Sequence, residues 1–170
     1  MDITTVGEIA VRSIHIMASG ERADFDALIH PEGVNREAVA EPPACRVVGP
    51  AGFYATALWL RTAFPGFVHE IHEVVADGNL VAVHATMRGR HAGPFVNYAA
   101  SGEVEAVFPP TGQEFATTQS HWFRVRDGKI LEHWANRDDL GHAKQAGWIP
   151  PSPVYLLRMA RAKSRARRAA

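Results

Sequence analysis

Residues 111–147, TGQEFATTQSHWFRVRDGKILEHWANRDDLGHAKQAG, decide the fold prediction. At their centre stands Asp127-Gly128, a pair typical of a two-residue type I′ hairpin turn, which needs φ > 0 at both central positions. Runs rich in β-forming residues flank this turn at 115–126 and 129–136. A short helical stretch follows and ends at Gly147. The segment therefore predicts a β-hairpin followed by a helix.

The turn also predicts which side chains share a face. If the strands pair without a bulge, Arg126 lies opposite Lys129 and His121 lies opposite Trp134. Side chains alternate between faces along a strand. One face would then line a pocket with a polar end, and Asp138 would share its parity. This face carries Gln119, His121, Phe123, Val125, Ile130, Glu132, Trp134 and Asn136, and the opposite face carries Ser120, Trp122, Arg124, Leu131, His133 and Ala135.

Composition indicates one soluble domain. The chain has 170 residues, 46% of them hydrophobic, and a formal net charge of zero, which suits a single domain with a sizeable core. Cys45 is the single cysteine, which excludes an internal disulfide framework. No apolar run reaches the roughly 20 residues that cross a bilayer, and no signal-peptide pattern is present. We therefore expect a cytoplasmic protein that acts on neither membranes nor nucleic acids.

The order of the predicted elements indicates an α+β fold. Helical periodicity covers 3–18, 23–29 and 53–63, whereas β patterns begin at residue 67. Strands are predicted at 67–76 and 80–90, and 91–110 is interpreted as a long connection. Helices followed by a run of antiparallel strands predict a curved sheet with helices on one face.

Four motifs in this order resemble the SnoaL-like polyketide cyclases of the nuclear-transport-factor-2-like superfamily. They are GERADFDALIHPEGVN, VVADGNLVAVHATMRGRHAGPF, FPPTGQEF and the closing FRVRDGKILEHWANRDDLGHAKQAG. The resemblance covers about residues 5–149. It implies a cone-shaped α+β barrel, with a curved antiparallel sheet wrapped around the N-terminal helices and a pocket inside. It also implies a homodimer formed through the outer sheet face.

The resemblance further implies acid–base chemistry without a cofactor or metal, on a small, largely apolar carbonyl compound. The family's catalytic Asp corresponds to Asp138, four residues after Trp134. Two features depart from the family pattern: the longer segment 96–107 and a second acid, Asp139. Either acid could instead cap the helix that follows.

His121 is the predicted partner of Asp138, because an imidazole can hold an enolate oxygen or relay a proton. A histidine hydrogen-bonded within the sheet is the structural alternative. Trp134 is interpreted as a stacking surface, with a core position as its alternative. His69 and His72 are not expected to share a metal ion, since residues three apart in a strand face opposite sides. The remaining candidates for substrate binding are Asn136, Gln119, Phe123, Trp59 and His84.

Other functions fit the same sequence. The pocket could serve an isomerase or an epoxide hydrolase, although no Arg can be placed for the latter, or a binding or dimerisation module without catalysis. The domain is predicted to span 1–150, and 151–170 is interpreted as a proline-rich link and a basic helical tail. Residues 140–170 carry seven Lys or Arg and no Asp or Glu. We interpret this tail as a solvated helix, with contact to nucleic acid or a membrane surface as the alternative.

Overall fold

A computed structural model describes residues 3–169 of the chain. Three helices occupy the first part, as predicted: α1 (Ile3–Ser19), α2 (Arg22–Leu28) and α3 (Pro50–Ala63). Pro50 begins α3 at a position where the missing N–H costs nothing. Two short 3₁₀ helices, Ala38–Ala40 and Pro43–Arg46, lie in the proline-rich connection before α3.

The main sheet has five strands: β1 (Ile29–Asn35), β2 (Val68–Asp77), β3 (Leu80–Arg90), β6 (Glu114–Arg126) and β7 (Lys129–Arg137). Their order in the sheet is β1-β7-β6-β3-β2. The α+β class is confirmed, but the sheet is open, with β1 and β2 at its edges, rather than closed into a barrel. It is also mixed, because β1 pairs with β7 in parallel.

A β-bulge corrects the predicted hairpin register. The Asp127-Gly128 turn forms, both residues have positive φ, and Arg126 pairs with Lys129 as predicted. Arg124, however, pairs with Glu132, so Leu131 is an extra residue on β7. An extra residue shifts every later side chain to the other face. From Glu132 onward, the predicted parity is therefore wrong.

The segment predicted as a long connection contains a second sheet. β4 (Phe95–Tyr98) and β5 (Val104–Phe108) form a two-stranded antiparallel hairpin. The short helix α4 (Asp139–Gln145) follows β7, and α5 (Pro153–Ala169) follows α4. α5 packs on β5: Tyr155 is buried and donates its hydroxyl hydrogen to Pro109 O, and Arg167 donates to Val104 O. The basic tail is thus anchored along its length.

Two clusters of buried side chains fill the concave side of the sheet. The first joins α1, α2 and α3 to β3, β6 and β7, through residues such as Phe25, Val83 and Ile130. The second is aromatic and centres on Phe64 and Trp148. The helices thus cover one face of the sheet and leave space between the two clusters. Within residues 3–169, no helix is long and apolar enough to cross a membrane.

Candidate active site

The space between the two clusters is a cavity of about 370 Å³. Its walls come from every layer of the fold, and they are mostly apolar with a polar end, as is usual for small-molecule sites. The apolar wall is largely aromatic, with Phe53, Trp59, Phe64, Phe95, Phe108, Phe123 and Trp148. The polar end contains Asn35, Glu37, Glu41, Thr56, His69, Gln119, His121, His133, Arg137 and Asp139. His142 also lines the cavity, but it packs among the rings of the aromatic wall.

Two stacked imidazoles form the centre of the polar end. The rings of His121 and His133 lie 5.3 Å apart with 21° between their planes. His121 Nδ1 is 3.0 Å from His133 Nε2. Gln119 Oε1 lies 2.8 Å from His121 Nε2, and Asn35 Oδ1 lies 2.9 Å from His133 Nδ1. The two rings are therefore held in one hydrogen-bonded row between two amide side chains.

Burial keeps these imidazoles neutral, because removal from water disfavours the charged form. Desolvation lowers the pKa of His133 to about 3, with the Arg137 charge adding to the effect. It lowers the pKa of His121 well below its ordinary value, helped by His133. Desolvation also lowers the pKa of His69 and of His142 to about 4. At neutral pH the cavity therefore holds several uncharged imidazoles.

Arg137 links two of the acids in the lining. Its guanidinium lies 3.2 Å from Glu37 Oε2 and 3.4 Å from Asp139 Oδ1. Glu37 also accepts a hydrogen bond from the Ala135 N–H. Glu41, a third acid in the lining, is only 4% exposed and accepts a hydrogen bond from the Thr56 hydroxyl.

Because of the bulge at Leu131, the β7 residues that line the pocket differ from the predicted ones. His133, predicted to face outward, lines the cavity. Trp134, predicted to line it, lies on the convex face, where it stacks with Trp122 at 6.2 Å and Arg36 lies over its ring. Asn136 pairs with Ser120 and is exposed. The predicted placement of Trp134 and Asn136 in the pocket is wrong for this one reason.

Asp138 lies outside the cavity lining. It is the N-cap of α4, and its Oδ1 accepts a hydrogen bond from the Gly141 N–H at 2.8 Å. Asp139 does reach the cavity rim, but its side chain is 78% exposed. His121 therefore lines the cavity, whereas Asp138 does not. Asp138 instead caps the following helix, which was the alternative considered from the sequence.

The other predicted binding residues divide between the two faces. Gln119, Phe123 and Trp59 line the cavity. Trp59 is fixed by a hydrogen bond from Nε1 to Val96 O and packs on Phe95 at 4.6 Å. His84 is exposed on the convex face, where it contacts Ser120 and the ring of His72.

Sequence reasoning did not place Glu37, Glu41, His69 or Arg137 in the site. His69 Nδ1 is buried and has no hydrogen-bond partner in the described part of the chain. His69 and His72 face opposite sides of the sheet, as predicted. Across residues 3–169, no group of three or more His, Cys, Asp or Glu side chains could hold a metal ion. His69 shares the strand parity of Phe67 and Ile71, which both pack into the core, and this parity is the signal that could have placed it inward.

An α+β fold with an apolar cavity on the concave side of its sheet, ending in neutral imidazoles, defines a small-molecule site. The SnoaL-like polyketide cyclase family model matches residues 8–146. The chain therefore belongs to this family, and the resemblance in the sequence is confirmed.

Curated relatives and solved structures agree with this membership. The chain is 32% identical over 152 residues to the aklanonic acid methyl ester cyclase DnrD of Streptomyces peucetius, covering 89% of this chain and 97% of the relative. It is 28% identical over 130 residues to the nogalonic acid methyl ester cyclase of Streptomyces nogalater, covering 76% and 87%. The fold matches TsrD from Streptomyces laurentii with a TM-score of 0.68 at 21% identity, covering 86% of this chain and 98% of that one.

Proposed function

We propose that this protein closes a ring in a polyketide methyl ester by intramolecular carbon–carbon bond formation, using acid–base chemistry without a cofactor. The similarity to two methyl ester cyclases supports the substrate class. The observation that carries the chemistry is the row of two neutral imidazoles at the end of an aromatic cavity.

Hydrogen counting supports a proton-transfer role for the imidazole pair. Three contacts join Asn35 Oδ1, the two rings and Gln119 Oε1 in a row, and each contact needs one hydrogen. Two neutral imidazoles carry only two N–H groups. The row is therefore complete when the pair has taken up one proton. Burial keeps His121 and His133 neutral at rest. A proton taken up during the reaction would complete the row, and the lowered pKa of both rings would favour its return.

The cavity walls suit a flat, apolar substrate. Phe95 and Phe108 both stack on Trp148, with centroid distances of 5.2 and 4.4 Å, and Trp59 packs against the far side of this group. Aromatic surfaces of this kind bury large apolar area and favour stacked rings. A substrate held there would present its carbonyl groups to the polar end.

The test is turnover of aklanonic acid methyl ester by the purified protein in a chelating buffer. Intramolecular aldol addition conserves all atoms, so the product should have the mass of the substrate and a different retention time. His121→Phe removes one imidazole of the proton-transferring pair and should lower the turnover number by about 10²–10⁴-fold, the usual contribution of a positioned acid–base group. His84→Phe, on the convex face, is the matched control and should keep wild-type turnover. No product from the wild type, or equal turnover in both variants, would contradict the proposal.

We also propose a homodimer formed through the convex face of the sheet. The stacked Trp122 and Trp134 lie there beside Arg124 and the partly buried Leu131, whereas His133, first assigned to this face, does not. Aromatic and Arg side chains are enriched at interfaces. Sedimentation at micromolar concentration should give twice the chain mass, and Trp122→Glu should give the monomer mass. A wild-type monomer would contradict this proposal.

A further inference from the structure

Glu41 differs from the other acids of the cavity. Glu37 and Asp139 both pair with Arg137, whereas in residues 3–169 no Lys, Arg or His side chain forms a salt bridge with the Glu41 carboxylate. Its partner is the Thr56 hydroxyl, at 2.5 Å. Glu41 is 4% exposed and lines the cavity. A buried carboxylate without a cationic partner is costly to keep, which points to a use for it.

The segment around Glu41 is held in place through its backbone. Arg46 donates to Glu41 O and to the carbonyls of Ala99 and Ala100. The Arg46 guanidinium therefore donates hydrogen bonds to carbonyl oxygens of both the Glu41 segment and the β4–β5 turn. This arrangement fixes the position of Glu41 and leaves the carboxylate to Thr56 and the cavity.

Burial shifts the basicity of Glu41 and of the imidazoles in opposite directions. Desolvation raises the pKa of the Glu41 carboxyl, opposed by the Thr56 hydrogen bond, the Arg137 charge and Cys45, while the Glu37 charge raises it further. The same desolvation lowers the pKa of His121 and His133. Burial therefore favours proton uptake by the carboxylate and disfavours it at the two imidazoles.

We infer that Glu41 is a catalytic residue, the carboxylate that removes the proton from the substrate carbon, in a site whose proposed function is ring closure. One row of side chains connects it to the imidazoles. Thr56 Oγ1 lies 3.5 Å from Asn35 Nδ2, and Asn35 Oδ1 contacts His133. The Glu41 carboxylate and the imidazole pair therefore lie on one continuous polar wall of the cavity. A carbonyl compound bound there would contact this wall at two points.

The step balances without an oxidant or a cofactor. Glu41 takes the proton from the carbon next to a carbonyl, and the electron pair of that C–H bond forms an enolate. The enolate carbon attacks a second carbonyl carbon of the same molecule, so one C–C bond forms and one C=O π bond becomes an alkoxide. The alkoxide takes up a proton, the carboxyl of Glu41 gives one up, and the resting carboxylate returns.

Glu41→Gln tests this inference, because Gln keeps the shape and still accepts the Thr56 hydrogen bond but is not a base. The turnover number with aklanonic acid methyl ester should fall by about 10²–10⁴-fold, while KM and the melting temperature stay close to wild type. Glu70→Gln, which removes an exposed carboxylate that pairs with Arg88, is the matched control and should keep full turnover. A purely structural Glu41 would lower the melting temperature and leave the turnover number within about threefold, which would overturn the inference.

A second measurement separates this inference from the proposed function. If the wild type has no turnover, the proposed function fails. A carboxyl ¹³C NMR titration then tests separately whether Glu41 has the raised pKa that the inference requires. One glutamate resonance, absent in Glu41→Gln, should titrate above the ordinary range of glutamate. If that resonance titrates in or below the ordinary range, the Glu41 inference is overturned as well.

Discussion

Replacement of Phe64 by alanine is expected to lower the free energy of unfolding by about 3–5 kcal/mol, the usual cost of removing a large aromatic side chain from a core. Phe64 is 2% exposed. Its ring meets those of Phe95, Phe115 and His142 at 5.4, 5.0 and 5.4 Å. It also borders the cavity, so the lost volume would add to the existing space instead of being filled.

Chemical denaturation of the two proteins measures this effect. Val39→Ala is the control, because Val39 is 70% exposed and surface substitutions usually change stability by less than about 0.5 kcal/mol. A loss below about 1 kcal/mol for Phe64→Ala would show that the aromatic cluster is not the packed core described above.

The second large effect is loss of stability in acid. The folded pKa values of His69 and His142 are about 4, that of His133 is about 3, and that of His121 is well below its ordinary value. In the unfolded chain these groups take up protons near pH 6.5. The unfolded state therefore binds more protons between about pH 6.5 and 4, and stability falls as the pH falls through that range.

We expect the free energy of unfolding to drop between pH 7 and pH 5 by up to about 2 kcal/mol for each imidazole that stays neutral in the folded state. Glu41 acts in the opposite direction, because its raised pKa favours proton uptake by the folded state. Denaturant titrations at pH 7, 6 and 5 measure the slope, and His121→Phe should give a shallower slope. Equal stability at the three pH values would contradict the neutral burial of these imidazoles.

The fold was largely predictable because its signals are local. Helical periodicity and the Asp127-Gly128 turn predicted α1, α3 and the β6–β7 hairpin to within a few residues. The β4–β5 hairpin was missed because three prolines and two glycines in 91–110 favour loop. The parallel pairing of β1 with β7 joins residues about 100 positions apart, and no local pattern reports such a contact.

The candidate site was predictable only as far as the bulge. On β6, where no residue is extra, Gln119, His121 and Phe123 lie on the cavity face as predicted. On β7, the single extra residue at Leu131 reverses the faces, which removes Trp134 and admits His133. Glu41 lies in an irregular proline-rich segment, where no periodicity assigns a direction to a side chain. Its burial follows from the packing of that segment on α3.

The most direct test of the account follows the histidine side chains by ¹⁵N NMR while aklanonic acid methyl ester is added to the wild-type protein. The concave cavity is the claimed binding site, so the resonances of His121 and His133 should shift with a common saturation curve. Those of His72 and His84, on the convex face, should stay in place. Shifts confined to His72 and His84, or saturation without change at His121 and His133, would show that the ligand binds elsewhere and would contradict the account.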